Sequence, residues 1–214
     1  MGAPRPRTRV YVDGFNLYYG CLKGQAHKWL DLEAMCALLL PKNEIKRIRY
    51  FTARVKERPG DLQAPVRQQA YLRALYTLPK VEVHFGNFMV TETRMALAQP
   101  PVTGAQTVKV IKTEEKGSDV NLATYLLVDA FRADAEAFVV VSNDSDLTEP
   151  IRIVRHELGK VIGLLNPQPE PSHMLMRCKP SFAKQIRVGV LRASQFPPTL
   201  TDATGATITK PVGW

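Results

Sequence analysis

Four aspartates in three separate segments carry the chemistry this sequence could do. Asp13 lies in Val10-Tyr-Val-Asp-Gly-Phe-Asn-Leu-Tyr-Tyr19, Asp119 in Lys116-Gly-Ser-Asp-Val-Asn121, and Asp144 and Asp146 in Ser142-Asn-Asp-Ser-Asp-Leu147. Carboxylates crowded into one place raise one another's pKa unless a cation or a proton relieves the repulsion. A divalent cation is the natural relief, and an oxygen-only donor set suits Mg2+ or Mn2+, whereas zinc usually recruits His or Cys. His27, His84, His156 and His173 all fall outside the acidic segments, which disfavours zinc. A cation held this way could orient and activate water for hydrolysis of a phosphodiester. Asp13 and Asp144 are the expected direct ligands, with Asp119 and Asp146 as direct or water-mediated ones. Asn16 and Asn121 are candidates to position water or phosphate, Ser142 to support the acidic turn, and Lys116 to hold a substrate phosphate as a point charge.

Each residue also has a plainer use. Asp146-Leu-Thr-Glu149 fits a helix N-cap with Glu at the third position. Asp119, directly after Ser118, could simply complement a helix dipole, and Asp13-Gly14 could be a turn. Capping does not explain why three strand and helix junctions all carry acids. Phe15, Tyr18 and Tyr19 could stack on unpaired bases, although core packing is the commoner role at this spacing. Lys46, Arg47, Arg49, Arg54, Lys56 and Arg58 form a basic cluster that could follow a phosphate backbone or be a solvated strand face. His84 is expected to pack in or beside the sheet.

These residues need elements to position them. Arg9-Val-Tyr-Val12 reads as a buried strand that delivers Asp13 at its end. A helix from Leu32 is stopped by Pro41, and a second strand runs from Lys46 to Val55 before the turn residues of Lys56-Glu-Arg-Pro-Gly-Asp61. Residues 65–78 have helical spacing and Lys80–Phe85 alternates as a third strand. Asn87–Arg94 and Thr107–Lys112 are β-like and flank Gln99-Pro-Pro-Val-Thr-Gly104, an expected insertion over about 86–112 with a mobile tip. Asp119–Arg132 is a helix with Ser118 as its expected N-cap. Ala137-Phe-Val-Val-Val-Ser142 is the continuous apolar run of a central parallel strand. A helix over Leu147–Leu158 and a strand over Gly159–Leu165 continue the alternation. One more helix is expected within 172–192, and 194–214 reads as an irregular tail. The division expected is one domain over 1–193 and the tail 194–214.

Composition bounds the rest. At 214 residues and 45% hydrophobic content the chain suits one packed domain. The apolar stretch Met35-Cys-Ala-Leu-Leu-Leu40 falls far short of the roughly 20 residues of a spanning helix, so no membrane is expected. The basic N-terminus leads into an Asp-containing segment, unlike a signal peptide, and a cytoplasmic protein follows by default. Cys21, Cys36 and Cys178 are spaced like neither a disulfide framework nor a zinc site. A net charge of +9 favours phosphate-rich partners.

Together, Tyr11-Val-Asp-Gly-Phe-Asn-Leu-Tyr-Tyr19, Lys116-Gly-Ser-Asp-Val-Asn-Leu122 and Val141-Ser-Asn-Asp-Ser-Asp-Leu147 resemble the NYN domain family, a LabA-like branch of the PIN-like nucleases. The resemblance covers a framework from about Val10 to Leu165. It implies a three-layer αβα fold around a mainly parallel sheet. It also implies a Mg2+- or Mn2+-dependent ribonuclease site at Asp13, Asp119, Asp144 and Asp146, acting on RNA, single-stranded or structured. Asn16 matches a polar position shortly after the first acid, and Asn143 stands where relatives often have Gly. A non-cleaving RNA-binding protein and a metal-dependent phosphohydrolase of a small nucleotide remain the alternatives. An oxidoreductase is disfavoured because no GxGxxG cradle follows the first strand. The oligomeric state is left open, a homo-oligomer included.

Overall fold

The computed structural model describes residues 4–57 and 60–214, so Arg58 of the basic cluster lies outside the described residues, as does Pro59 of the following turn. Strict alternation builds the first strand, β1 (Arg7–Asp13): Val10 and Val12 enter one apolar core and Tyr11 the other. The chain then forms α1 (Gly14–Leu17), a single π turn over Tyr18–Leu22, and α2 (Leu32–Leu39). Asp31 caps α2 by accepting the Ala34 N–H at 2.9 Å. Next come β2 (Glu44–Ala53), α3 (Ala64–Leu75), β3 (Val81–Ala96), β4 (Thr107–Lys116), α4 (Ser118–Phe131) and β5 (Ala137–Val141). After these follow α5 (Thr148–Arg152), β6 (Val161–Asn166), α6 (His173–Arg177), β7 (Phe182–Gln185) and α7 (Val188–Ala193).

The result is a mixed α/β architecture around a seven-stranded sheet of order β4-β3-β2-β1-β5-β6-β7, parallel at every pairing except β3 with β4. Side chains of α2, α3 and α7 fill the core on one face and those of α4, α5 and α6 the core on the other, giving three layers. All five residues of β5 are buried, as a central strand covered on both faces demands. The strand order reverses at β1: β2 and β3 lie on one side of it, β5 to β7 on the other. Such a reversal leaves a crevice beyond the carboxyl ends of the two neighbouring strands.

Three segments differ from expectation. The region expected as an insertion from Gly86 is a continuation of β3, whose first residues pair with β2 up to Ala53–Gly86 and whose remainder pairs with β4 from Asn87–Lys116 to Ala96–Thr107. The alternation was legible; the uninterrupted strand was not, because its outer half is exposed and carries little apolar pattern. Within 172–192 two helices flank the edge strand β7, whose Phe182-Ala-Lys-Gln185 is too short and polar to declare itself. The tail forms a hairpin of β8 (Thr199–Thr201) and β9 (Thr207–Thr209), and it buries Phe196 and Ile208 in the same core as Trp29. The Trp29 indole N–H donates to the Pro197 carbonyl at 2.8 Å. Among the described residues no helix is long and apolar enough to cross a membrane.

Candidate metal centre

β1 and β5 run side by side in parallel, with Val12 paired to Val141, so their ends deliver Asp13 and the Ser142–Asp144 turn to one edge of the sheet. α4 begins beside them and carries Asp119 in its first turn. Asp13, Asp119 and Asp144 each offer a carboxylate oxygen, and these oxygens lie within 4.8 Å of one another. The three acids line a cleft of about 350 Å3.

Neutral donors hold the trio in place. Ser142 Oγ donates to Asp13 Oδ2 at 2.9 Å, and the Asn16 N–H donates to Asp13 Oδ1 at 2.9 Å. Ser142 Oγ also accepts the Asp144 N–H at 3.1 Å, and Asp144 Oδ1 accepts the Asp146 N–H at 2.9 Å. Asn143 fastens the turn from outside: its N–H donates to Asn16 Oδ1 at 2.9 Å, its amide to the Glu170 carbonyl at 2.9 Å, and its Oδ1 accepts the Ser172 N–H at 2.6 Å. Asn143 thus clamps the acidic turn to the loop after β6.

Hydrogen bonds orient these carboxylates without removing their charge. Burial pushes the Asp13 carboxyl above its ordinary value, and Asp144 adds to the rise, while the Asn16 N–H and Ser142 hydroxyl offset part of it. Asp119 is pushed up to about 6, by burial first and then by the charges of Asp13, Asp144, Glu115 and Asp146. Among the described residues no Lys, Arg or His forms a salt bridge with Asp13, Asp119 or Asp144. Three clustered anionic oxygens without an internal counter-cation fit a hard divalent ion.

The remaining expected residues divide. Asp146 is exposed and stands outside the trio, within a 3-10 turn over Ser145–Leu147 that Asp144 caps, so the N-cap reading belongs to Asp144. Asn16 and Ser142 are at the trio. Asn121 is turned to the Phe85 carbonyl, 3.4 Å from its amide, and does not line the cleft. Lys116 is exposed, with its ammonium 3.9 Å from Glu114, and is not a lining residue either. Ser118 is the first helical residue; the N-cap is Gly117, at φ +98°, a left-handed conformation that favours glycine.

Glu115 was missed. Its carboxylate accepts both the Ser118 N–H at 3.1 Å and the Ser118 hydroxyl at 2.7 Å, capping α4, and it lines the acidic cleft. β3 passes so closely here that a Cβ on Gly86 would lie 2.2 Å from Glu115 Oε1. The available signal was Glu114-Glu115 immediately ahead of Lys116-Gly-Ser-Asp119. Phe88 was missed as well; it packs edge-on against Phe15 at 5.8 Å and lines the same cleft. Within the basic cluster, Arg49 is 8% exposed and paired with Asp129, Arg47 pairs with Glu82, Lys46 with Glu44, and Arg54 lies over Phe85. His84 stacks on Phe51 beside the sheet as expected.

Residues 7–186 match the NYN domain. The chain is 30% identical, over a 220-residue alignment covering 89% of it and 70% of the relative, to a Pseudomonas putida protein named 6-hydroxy-3-succinoylpyridine 3-monooxygenase HspA. The crystal structure of VPA0982, a protein of unknown function from Vibrio parahaemolyticus, matches it with a TM-score of 0.53 at 15% identity, covering 88% of this chain and 97% of that one. At that identity the likeness speaks to the fold.

Proposed function

The chain belongs to the NYN domain family, a nuclease-type fold, and from that premise we propose that it is a Mg2+- or Mn2+-dependent endoribonuclease. The observation that carries the reading is the meeting of Asp13, Asp119 and Asp144 at the strand reversal without an internal counter-cation. These three would hold the ion, with Asp146 acting through water. When bound, the ion supplies an activated, oriented water and offsets charge on the attacked phosphate. The chain's own residues do the rest. Ser142 and the Asn16 N–H fix the Asp13 carboxylate, so its oxygens are aimed before any ligand arrives. Asp119, its carboxyl pushed up to about 6, would be held deprotonated by a bound cation. The exposed Tyr19 ring and the Phe15–Phe88 pair flank the acids, where unpaired bases could stack. RNA in an intracellular setting is the proposed partner.

A second reading starts from the relative named as a monooxygenase of a hydroxypyridine. An aromatic-lined cavity beside the acidic cleft would take a flat ring of that kind. Against it stands the segment after β1, Asp13-Gly14-Phe15-Asn16, which carries no Gly-rich dinucleotide cradle.

Labelled single-stranded RNA, structured RNA and DNA, with mononucleotides alongside, incubated with Mg2+, Mn2+ or EDTA separate the ribonuclease from a non-cleaving binder and a small-nucleotide phosphohydrolase. Metal-dependent cutting of RNA is expected. RNA bound in a salt-sensitive way but left uncut under every metal would replace the ribonuclease with a non-cleaving binder. Hydrolysis of mononucleotides alone would replace it with a small-nucleotide phosphohydrolase.

A further inference from the structure

A cavity of about 90 Å3 lies against the acidic cleft, and Phe15 and Tyr19 line both. Tyr18, Tyr50, Tyr71 and Trp214 complete an aromatic lining. Much of that wall is fixed by the fold. Tyr71 is 6% exposed and donates its hydroxyl to the Leu30 carbonyl at 2.9 Å, and Trp214 packs on Tyr71 with ring centroids 5.5 Å apart. Lys28 and Arg67 stand on the same lining. Arg67 is engaged by Asp61, and Lys28 donates to the Gly213 carbonyl at 2.9 Å.

Aromatic walls select a flat ring. Size narrows the choice: an enclosed cavity that holds benzene measures about 150 Å3. A smaller cavity with an open mouth takes a ring only in part, and a single six-membered ring leaves less of itself outside than a fused purine does. We propose that this cavity is a pyrimidine subsite, seating the base of a nucleotide whose phosphate lies at Asp13, Asp119 and Asp144. The phosphate half rests on the ribonuclease reading; the base half does not require metal.

The test uses the full chain in EDTA, which prevents cleavage, and reads quenching of tryptophan fluorescence. Trp214 lines the cavity and Trp29, the chain's other tryptophan, is 6.3 Å from it between ring centroids. UMP and CMP should quench saturably, with AMP, ribose 5-phosphate and nicotinate at least about tenfold weaker. Tyr19→Ala, an exposed position, should weaken UMP at least about fivefold, the loss of one base-stacking contact. Ala64→Leu, which grows from the cavity wall, should abolish the response while its circular dichroism and melting stay close to wild type. Equal binding of ribose 5-phosphate, nicotinate or AMP would overturn the subsite, as would UMP affinity unchanged in Tyr19→Ala. RNA cut without any pyrimidine response would sink the subsite and leave the ribonuclease. Pyrimidine binding with RNA uncut would sink the ribonuclease and leave the base pocket.

Discussion

Strand β1 serves two carboxylate sites that the fold treats in opposite ways. Near its middle, the buried Asp129 accepts the Tyr11 hydroxyl at 2.7 Å and pairs with Arg9 at 2.6 Å and Arg49 Nε at 3.1 Å. Arg49 reaches on to Glu82 at 2.7 Å and lies over the Tyr125 ring at 4.4 Å. Burial alone would raise the Asp129 carboxyl, yet the Arg9 and Tyr11 bonds and the Arg49 charge outweigh it and hold it below its ordinary value. Two residues past Tyr11, Asp13 joins Asp119 and Asp144, where no such cation is supplied and both Asp13 and Asp119 are raised. One strand therefore borders a carboxylate neutralised from within and a trio left to be neutralised from without. The first arrangement serves stability; the second costs stability and is useful only if a cation comes.

That contrast can be broken from either side. The largest effect is expected at the trio: Asp13→Asn or Asp144→Asn should lower single-turnover RNA cleavage on the order of 10^3-fold, because the charge stabilising the reacting phosphate is lost. In EDTA the same variants should melt no lower than wild type, since they relieve repulsion. At the network the pattern inverts. Arg49→Ala removes one of two guanidinium partners of the buried Asp129, with Arg9 retained, and should destabilise folding by about 1–3 kcal/mol in denaturant unfolding, with cleavage per folded molecule unchanged. Asp146→Asn sharpens the boundary of the trio; acting through water, it should cost only about 10–100-fold in cleavage.

The smallest effect is one of pH, and the two sites have opposite signs. Asp119 titrates near 4 when unfolded and near 6 when folded, so between these values the folded chain binds more protons. Its contribution to stability therefore falls as pH rises from 4 to 6. Asp129, depressed in the fold, contributes stability above its unfolded value and loses it as pH falls below about 4. Melting temperatures in EDTA across pH 4 to 7 should show a falling component in wild type that Asp119→Asn reduces, the raised Asp13 keeping its own share; an identical profile in that variant would discard the Asp119 assignment.

Much of the trio was legible because each acid ends a strongly patterned element: Asp13 follows alternating Val10-Tyr-Val12, Asp144 follows the apolar run to Val141, and Asp119 opens an amphipathic helix. What lay hidden depends on long-range partners. Glu115 sits among alternating strand residues and joins the cleft only because Gly117 turns the chain and Gly86 lets β3 approach. Arg49 looks like any cation of a basic run, and only its pairing with Asp129, 80 positions away, buries it. The order of 194–214 escaped for a similar reason: Phe196 packs on Trp29 and Trp214 on Tyr71, both far upstream, and Ile208 is an isolated apolar residue that joins the same core.

The central claim, that the trio is completed by a divalent cation, is tested most directly by calorimetric titration of Mn2+ into the metal-free wild type, Asp144→Asn and Arg49→Lys at pH 7.5. Saturable binding in wild type and Arg49→Lys, lost or weakened at least about tenfold in Asp144→Asn, is the predicted result. Equal Mn2+ affinity in wild type and Asp144→Asn, or no binding to either, would contradict the account.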